Sequence, residues 1–107
     1  APCSICGENL HEDLLVAAHI KKRADCSREE KLDPQVAVLM CKLGCDALYE
    51  YGYLSVEQGV VKSKGVDTDP PRITRLLSQL NDRAFPEWTE KRAGYFAWHE
   101  SNVLRGA

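Results

Sequence analysis

The chain has 107 residues, a length that fits one domain, and its hydrophobic (44%) and charged (28%) fractions are ordinary for a globular protein. No apolar run approaches the ~20 residues of a membrane-spanning helix and no leader pattern is visible, so a cytoplasmic protein without a membrane partner is expected. A net charge of −2 argues against a broadly basic nucleic-acid coat but leaves room for a local basic patch. The first element in the chain is a knuckle, Cys3-x-x-Cys6 followed by Gly7, which lets two thiolates point at one ion. A knuckle this close to residue 1 suggests a single domain, 1–107, cut from a longer protein.

"HEDLLVAAHI" (11–20) reads as an extended segment, an apolar run bounded by charge and ending near His19. His11, set among Glu12 and Asp13, reads as exposed. Lys21, Lys22, Arg23, Arg28 and Lys31 follow within eleven residues, a density that can contact phosphate. Asp25, Glu29 and Glu30 lie among them, so a solvated loop of mixed charge is the alternative. "REEKLD" and Pro34 break this stretch from "VAVLMC" (36–41), which reads as a buried strand.

That strand ends in a second pair, Cys41-x-x-x-Cys45, with Gly44 relaxing the longer turn. Cys3, Cys6, Cys41 and Cys45 together predict a tetrahedral structural zinc site that ties the start of the domain to its middle. The odd count of five cysteines disfavours a closed disulfide framework. Cys26 is left as a free thiol, or as a fourth ligand in place of Cys45.

"CDALYEYG" (45–52) reads as a short helix with Asp46 in its first turn, closed by Gly52. "YLSVEQGVVKSKG" (53–65) reads as a β-hairpin turning at Glu57–Gln58–Gly59. In "VDTDPP", Asp69 reads as the cap of an amphipathic helix over 71–84, with Ile73, Leu76, Leu77, Leu80 and Ala84 on one face. Thr89 is expected to cap a last helix through about 104, which carries Tyr95, Phe96, Trp98 and His99. These elements predict an α+β domain: a zinc-stapled core of two strands and a helix, an added β-hairpin and two C-terminal helices.

"LLVAAHIKK", "LMCKLGCDALYEYGYLSV" and the terminal "GYFAWHESNVL" resemble the HNH endonucleases, in the subgroup found in modification-dependent restriction enzymes and related defence proteins. The resemblance spans about residues 3–104 and is patchy between 60 and 85. It implies a ββα-metal fold, one catalytic divalent cation (magnesium or manganese) and hydrolysis of DNA phosphodiesters. It makes His19 the general base and Asp46 a ligand of the catalytic cation, while Lys21, Lys22 and Arg23 would hold neighbouring phosphates. It also departs from the family pattern. Ala18 stands where many members carry a metal ligand, and Gln35 and Val36 stand where an asparagine orients the base. Gln35 is the candidate for that orienting role. His99 matches the family's terminal histidine and is expected to pack or hydrogen-bond beside the site. DNA is the implied partner, with target choice assigned to a recognition domain preceding residue 1, and a homodimer would ease cleavage of both strands. The departures also motivate a second reading, a zinc-stabilised module that keeps the fold and binds DNA or protein without cutting. A small zinc protein for protein–protein contact, with the basic loop incidental, is the third.

Overall fold

Leu15–His19 is a five-residue run free of glycine and proline, and it forms strand β1. It pairs antiparallel with β2 (Ala37–Cys41), Leu15 facing Cys41 and His19 facing Ala37 across the ladder. The structure, a computed structural model, describes residues 1–106. Alternation decides which face is covered: Ala18, Val38 and Met40 are buried, whereas Ala17 and Leu39, paired across the ladder, lie open to solvent.

The segment between the strands is more ordered than the expected loop. Ser27 and Glu30 close a capping box, the Glu30 N–H donating to the Ser27 hydroxyl and the Ser27 N–H to the Glu30 carboxylate. They start α1 (Arg28–Leu32), and a 3₁₀ turn over Pro34–Val36 leads into β2.

Helix α2 (Cys45–Glu50) follows β2 after a three-residue turn, as the sequence predicts. Gly52 ends it with φ +81°, and a Cβ there would fall 2.2 Å from the Val103 carbonyl oxygen. Replacing Gly52→Ala is therefore expected to cost about 2–4 kcal/mol, since left-handed backbone and overpacking add. A urea titration checks this: the midpoint should fall while the slope stays constant.

Strands β3 (Leu54–Glu57) and β4 (Val60–Ser63) form the expected hairpin, and both turn residues, Gln58 and Gly59, have positive φ. Two expectations fail in the next helix. Helix α3 spans Pro71–Leu80 rather than 71–84, because residues 82–84 leave the helix to pair with β4. There the Asp82 N–H donates to the Val61 carbonyl and the Val61 N–H to the Arg83 carbonyl, each at 2.8 Å. Ala84 is accordingly exposed. Nor does Asp69 cap α3; Pro70 occupies that position, and the Asp69 carboxylate instead binds the Val66 N–H and the Arg105 guanidinium.

Helix α4 (Glu90–Asn102) is capped by the Thr89 hydroxyl, which accepts from the Arg92 N–H. It stops two residues before the expected 104. Its buried face inserts Phe96 into an aromatic cluster with Tyr49, Phe85 and Trp88 at centroid distances of 5.2–6.0 Å. The result is an α+β fold of two small antiparallel hairpins and four helices, its core lying where α2 and α4 meet the strands. Among the described residues no helix is long and apolar enough to cross a membrane.

Candidate metal centre and cleft

The two cysteine pairs converge. Cys3 and Cys6 precede β1, Cys41 is the last residue of β2 and Cys45 the first of α2, yet all four Sγ atoms lie within 4.8 Å of one another. A tetrahedral Cys₄ zinc site, with bonds near 2.3 Å, places its sulfurs roughly 3.8 Å apart, so this spacing needs little adjustment to hold such an ion. Local structure prepares the site: Gly7 (φ +77°) turns the knuckle, its N–H donating to the Cys3 carbonyl. The N–H groups of Cys41 (3.3 Å) and Cys6 (3.5 Å) donate to the Cys3 sulfur.

The thiols respond to one another. A hydrogen bond from Cys45, joined by these backbone donors, holds the Cys3 thiol down to about 4, well below its ordinary value. Cys45 is pushed up, chiefly by that same hydrogen bond to Cys3 and by burial, and Cys6 is pushed up to about 11, chiefly by burial. One thiolate already suppresses ionisation of its neighbours. A buried tetrad of this kind needs a cation to carry four thiolates together, and the soft donor set suits zinc.

Cys26 is not part of this group. It is buried 15 residues before Cys41, the member of the tetrad nearest in sequence, and its thiol donates to the Lys21 carbonyl at 3.5 Å. Its alternative role as a ligand in place of Cys45 is thereby excluded, since Cys45 completes the cluster.

The second feature is a cleft of about 530 Å³ along the free edge of β1. His19, at the strand end, lines it together with Asp46 and Glu50, one turn apart on α2, and with Lys22 and Arg23 from the loop after β1. Its apolar floor includes Val16, Ala18, Ile20 and Tyr49. The metal centre and the cleft share α2: Cys45 in the tetrad directly precedes Asp46 in the cleft.

His99 also lines the cleft, where it stacks on Tyr49 with ring centroids 3.8 Å apart and planes 12° from parallel. The Tyr49 hydroxyl donates to the Ile20 carbonyl at 2.7 Å, fixing the backbone next to His19. His99 Nε2 lies 3.0 Å from the Leu54 carbonyl, an acceptor only, so that nitrogen carries the ring proton. Burial holds the His99 pKa below its ordinary value and keeps the ring neutral. Burial likewise pushes the Tyr49 hydroxyl up and keeps it protonated.

Other sequence candidates lie elsewhere. Gln35 does not line the cleft; its side-chain oxygen accepts from the Thr89 hydroxyl at 2.9 Å, joining β2's approach to the start of α4. Lys21 is engaged: its ammonium meets both oxygens of Glu30 at 2.9 and 3.1 Å and lies 5.7 Å from the Trp98 ring centroid. Only Lys22 and Arg23 of the basic trio line the cleft. His11 is exposed and accepts from the Asp13 N–H, as its charged neighbours suggest. Glu50 and Tyr51 also line the cleft and were not singled out from sequence; the i, i+4 spacing of Asp46 and Glu50 was the available signal for the former. Among the described residues the four cysteines are the one group of three or more potential ligands that converges closely enough for a metal.

No family model matches the chain, and no curated protein matches it.

Proposed function

We propose that this chain is a metal-dependent DNA endonuclease domain of the HNH type, with the tetrad holding a structural zinc. One observation carries the reading: a single cleft gathers the His19 imidazole at the strand end, the carboxylates of Asp46 and Glu50 and the cations of Lys22 and Arg23, side chains of the kinds that phosphodiester hydrolysis uses. The succession β1–β2–α2, with His19 at the end of the first strand and Asp46 at the start of the helix, supports the ββα-metal reading.

Asp46 and Glu50 supply hard oxygen donors, which fit magnesium or manganese. Such ions are commonly held by one or two carboxylates, with waters and substrate phosphates completing the shell, so a three-ligand protein cage is not required. The bound cation would polarise the scissile phosphate and offset the charge that develops there. His19 is the base that takes the proton from the attacking water. Lys22 and Arg23 hold adjoining phosphates, and the Ile20–Tyr49–His99 stack keeps the strand end in place.

The assay is nicking of supercoiled plasmid by the zinc-loaded chain with added magnesium or manganese. Nicking that depends on the added cation supports the reading; its absence from folded, zinc-loaded protein overturns it for the isolated chain. Gln35→Ala is expected to leave the cleavage rate essentially unchanged while costing about 1 kcal/mol of stability through its lost bond to Thr89. A large kinetic loss in that variant, with stability intact, would instead place Gln35 in the chemistry.

A second reading, a DNA- or protein-binding zinc module without cleavage, is favoured by the same placements. Ala18 offers no ligand, Val36 is buried and Gln35 faces away from the cleft.

A further inference from the structure

Tyr51 is the one aromatic among the described residues left in water: the residue is 68% exposed, while every other aromatic is buried or half-buried. Its backbone has a structural task, the N–H donating to the Ala47 carbonyl to close α2, but its ring has none. The contrast with Tyr53, two residues on, is direct. That ring is covered by the Arg105 guanidinium at 3.9 Å. Tyr51 also lines the same cleft as His19, Lys22 and Arg23.

An unpacked aromatic face on the wall of a phosphate-binding cleft is what a nucleobase stacks on. Bases inside a continuous duplex have both faces covered by their neighbours, so only an unpaired base can offer a face to Tyr51. The cleft, about 530 Å³, has the size of a small-ligand site and opens onto an apolar floor that suits a base or sugar edge.

We propose that the cleft takes an unpaired nucleotide of a DNA strand, its base stacked on Tyr51 and its phosphates met by Lys22 and Arg23. The substrate of the site is therefore single-stranded or locally melted DNA. The inference rests on the endonuclease reading for its chemistry, but its binding step stands apart from cleavage.

The test measures binding without added magnesium or manganese, so that nothing is cut. The zinc-loaded chain is titrated into a labelled thymidine strand of about 15 nucleotides, into the matching duplex, and into oligouridine of the same length, read by fluorescence anisotropy. The expected result is tighter binding of the single DNA strand than of the duplex. Tyr51→Ala should weaken single-strand binding about tenfold with little effect on the duplex, and Tyr51→Phe should retain it. Zinc content checks that the variants fold. Equal loss on both substrates, no change in Tyr51→Ala, tighter duplex binding, or no binding at all would overturn the proposal. Oligouridine bound as tightly as the DNA strand would overturn the assignment to DNA. Tyr51-dependent single-strand binding in a chain that fails to nick plasmid would uphold the stacking site and sink the endonuclease reading.

Discussion

If the tetrad holds a structural zinc, as proposed, stripping that ion is expected to unfold the protein's amino-terminal half and dismantle the cleft with it. Residues 1–10 are tied to the body by few bonds besides the tetrad, among them the Ser4 N–H to the Leu39 carbonyl at 2.8 Å and the fully buried Ile5. Zinc at a site of this kind binds with an apparent free energy of about 10–16 kcal/mol at neutral pH, comparable with the whole stability of a small domain. Its loss leaves a buried thiolate at Cys3 with no cation beside it. The damage should spread through α2, because a six-residue helix does not persist on its own. Cys45 clamps its first turn, and Asp46 and Glu50 follow on it. Elemental analysis is expected to find one equivalent of zinc in the purified chain. Cys45→Ser, or treatment with a strong chelator, should remove it and abolish cooperative thermal unfolding. Cys26→Ser should keep the metal, since that thiol lies outside the tetrad. A Cys45→Ser chain that melts at the wild-type temperature would refute the structural role.

The cysteine spacings made the tetrad legible in the sequence because a metal knuckle is a local pattern, and two local patterns needed only to meet. The strands β1 and β2, the hairpin and the Thr89 cap were legible for the same reason: each rests on a few adjacent residues. Where a contact came from far along the chain, the sequence misled. The helical pattern continued to Ala84, but β4 recruited residues 82–84 into pairing, which no local signal announced. Asp69 carried every mark of a helix cap and was taken instead by Arg105, 36 residues later. Gln35 stands near the position where the resemblance puts a base-orienting residue, but its side chain is held by Thr89, 54 residues on. The capping box at Ser27 and Glu30 is a local pattern too, and it explains why Lys21 is engaged: Glu30 is fixed by Ser27 and available to it. Glu50 and Tyr51 belong to the cleft because α2 presents that side to β1, a matter of packing that spacing alone leaves open.

His19→Ala is expected to slow plasmid nicking by about 10²–10⁴-fold, the range that a positioned acid–base group contributes. The loss should be kinetic and not structural. His19 is half-buried at a strand end, and its ladder partner Ala37 places no large side chain against it. Zinc content and the thermal midpoint should therefore match the wild type. The ring needs no side-chain partner to hold it near the cleft, because the backbone beside it is fixed twice. The Ile20 N–H donates to the Val36 carbonyl at 2.7 Å, and the Ile20 carbonyl accepts from Tyr49. Tyr49→Phe separates these roles. It keeps the ring stack on His99 and removes only the hydroxyl, so it should slow nicking by less than His19→Ala and leave the cation concentration for half-maximal rate unchanged. Asp46→Asn should do the reverse, raising the cation requirement, because a carboxylate ligand is lost while the base remains. If His19→Ala nicks as fast as the wild type, His19 is a structural residue. Cleavage, if it occurs, would then belong to another group. If all three variants lose activity together with their zinc, the effect lies in the fold, and the separation of base, ligand and support proposed for this cleft fails.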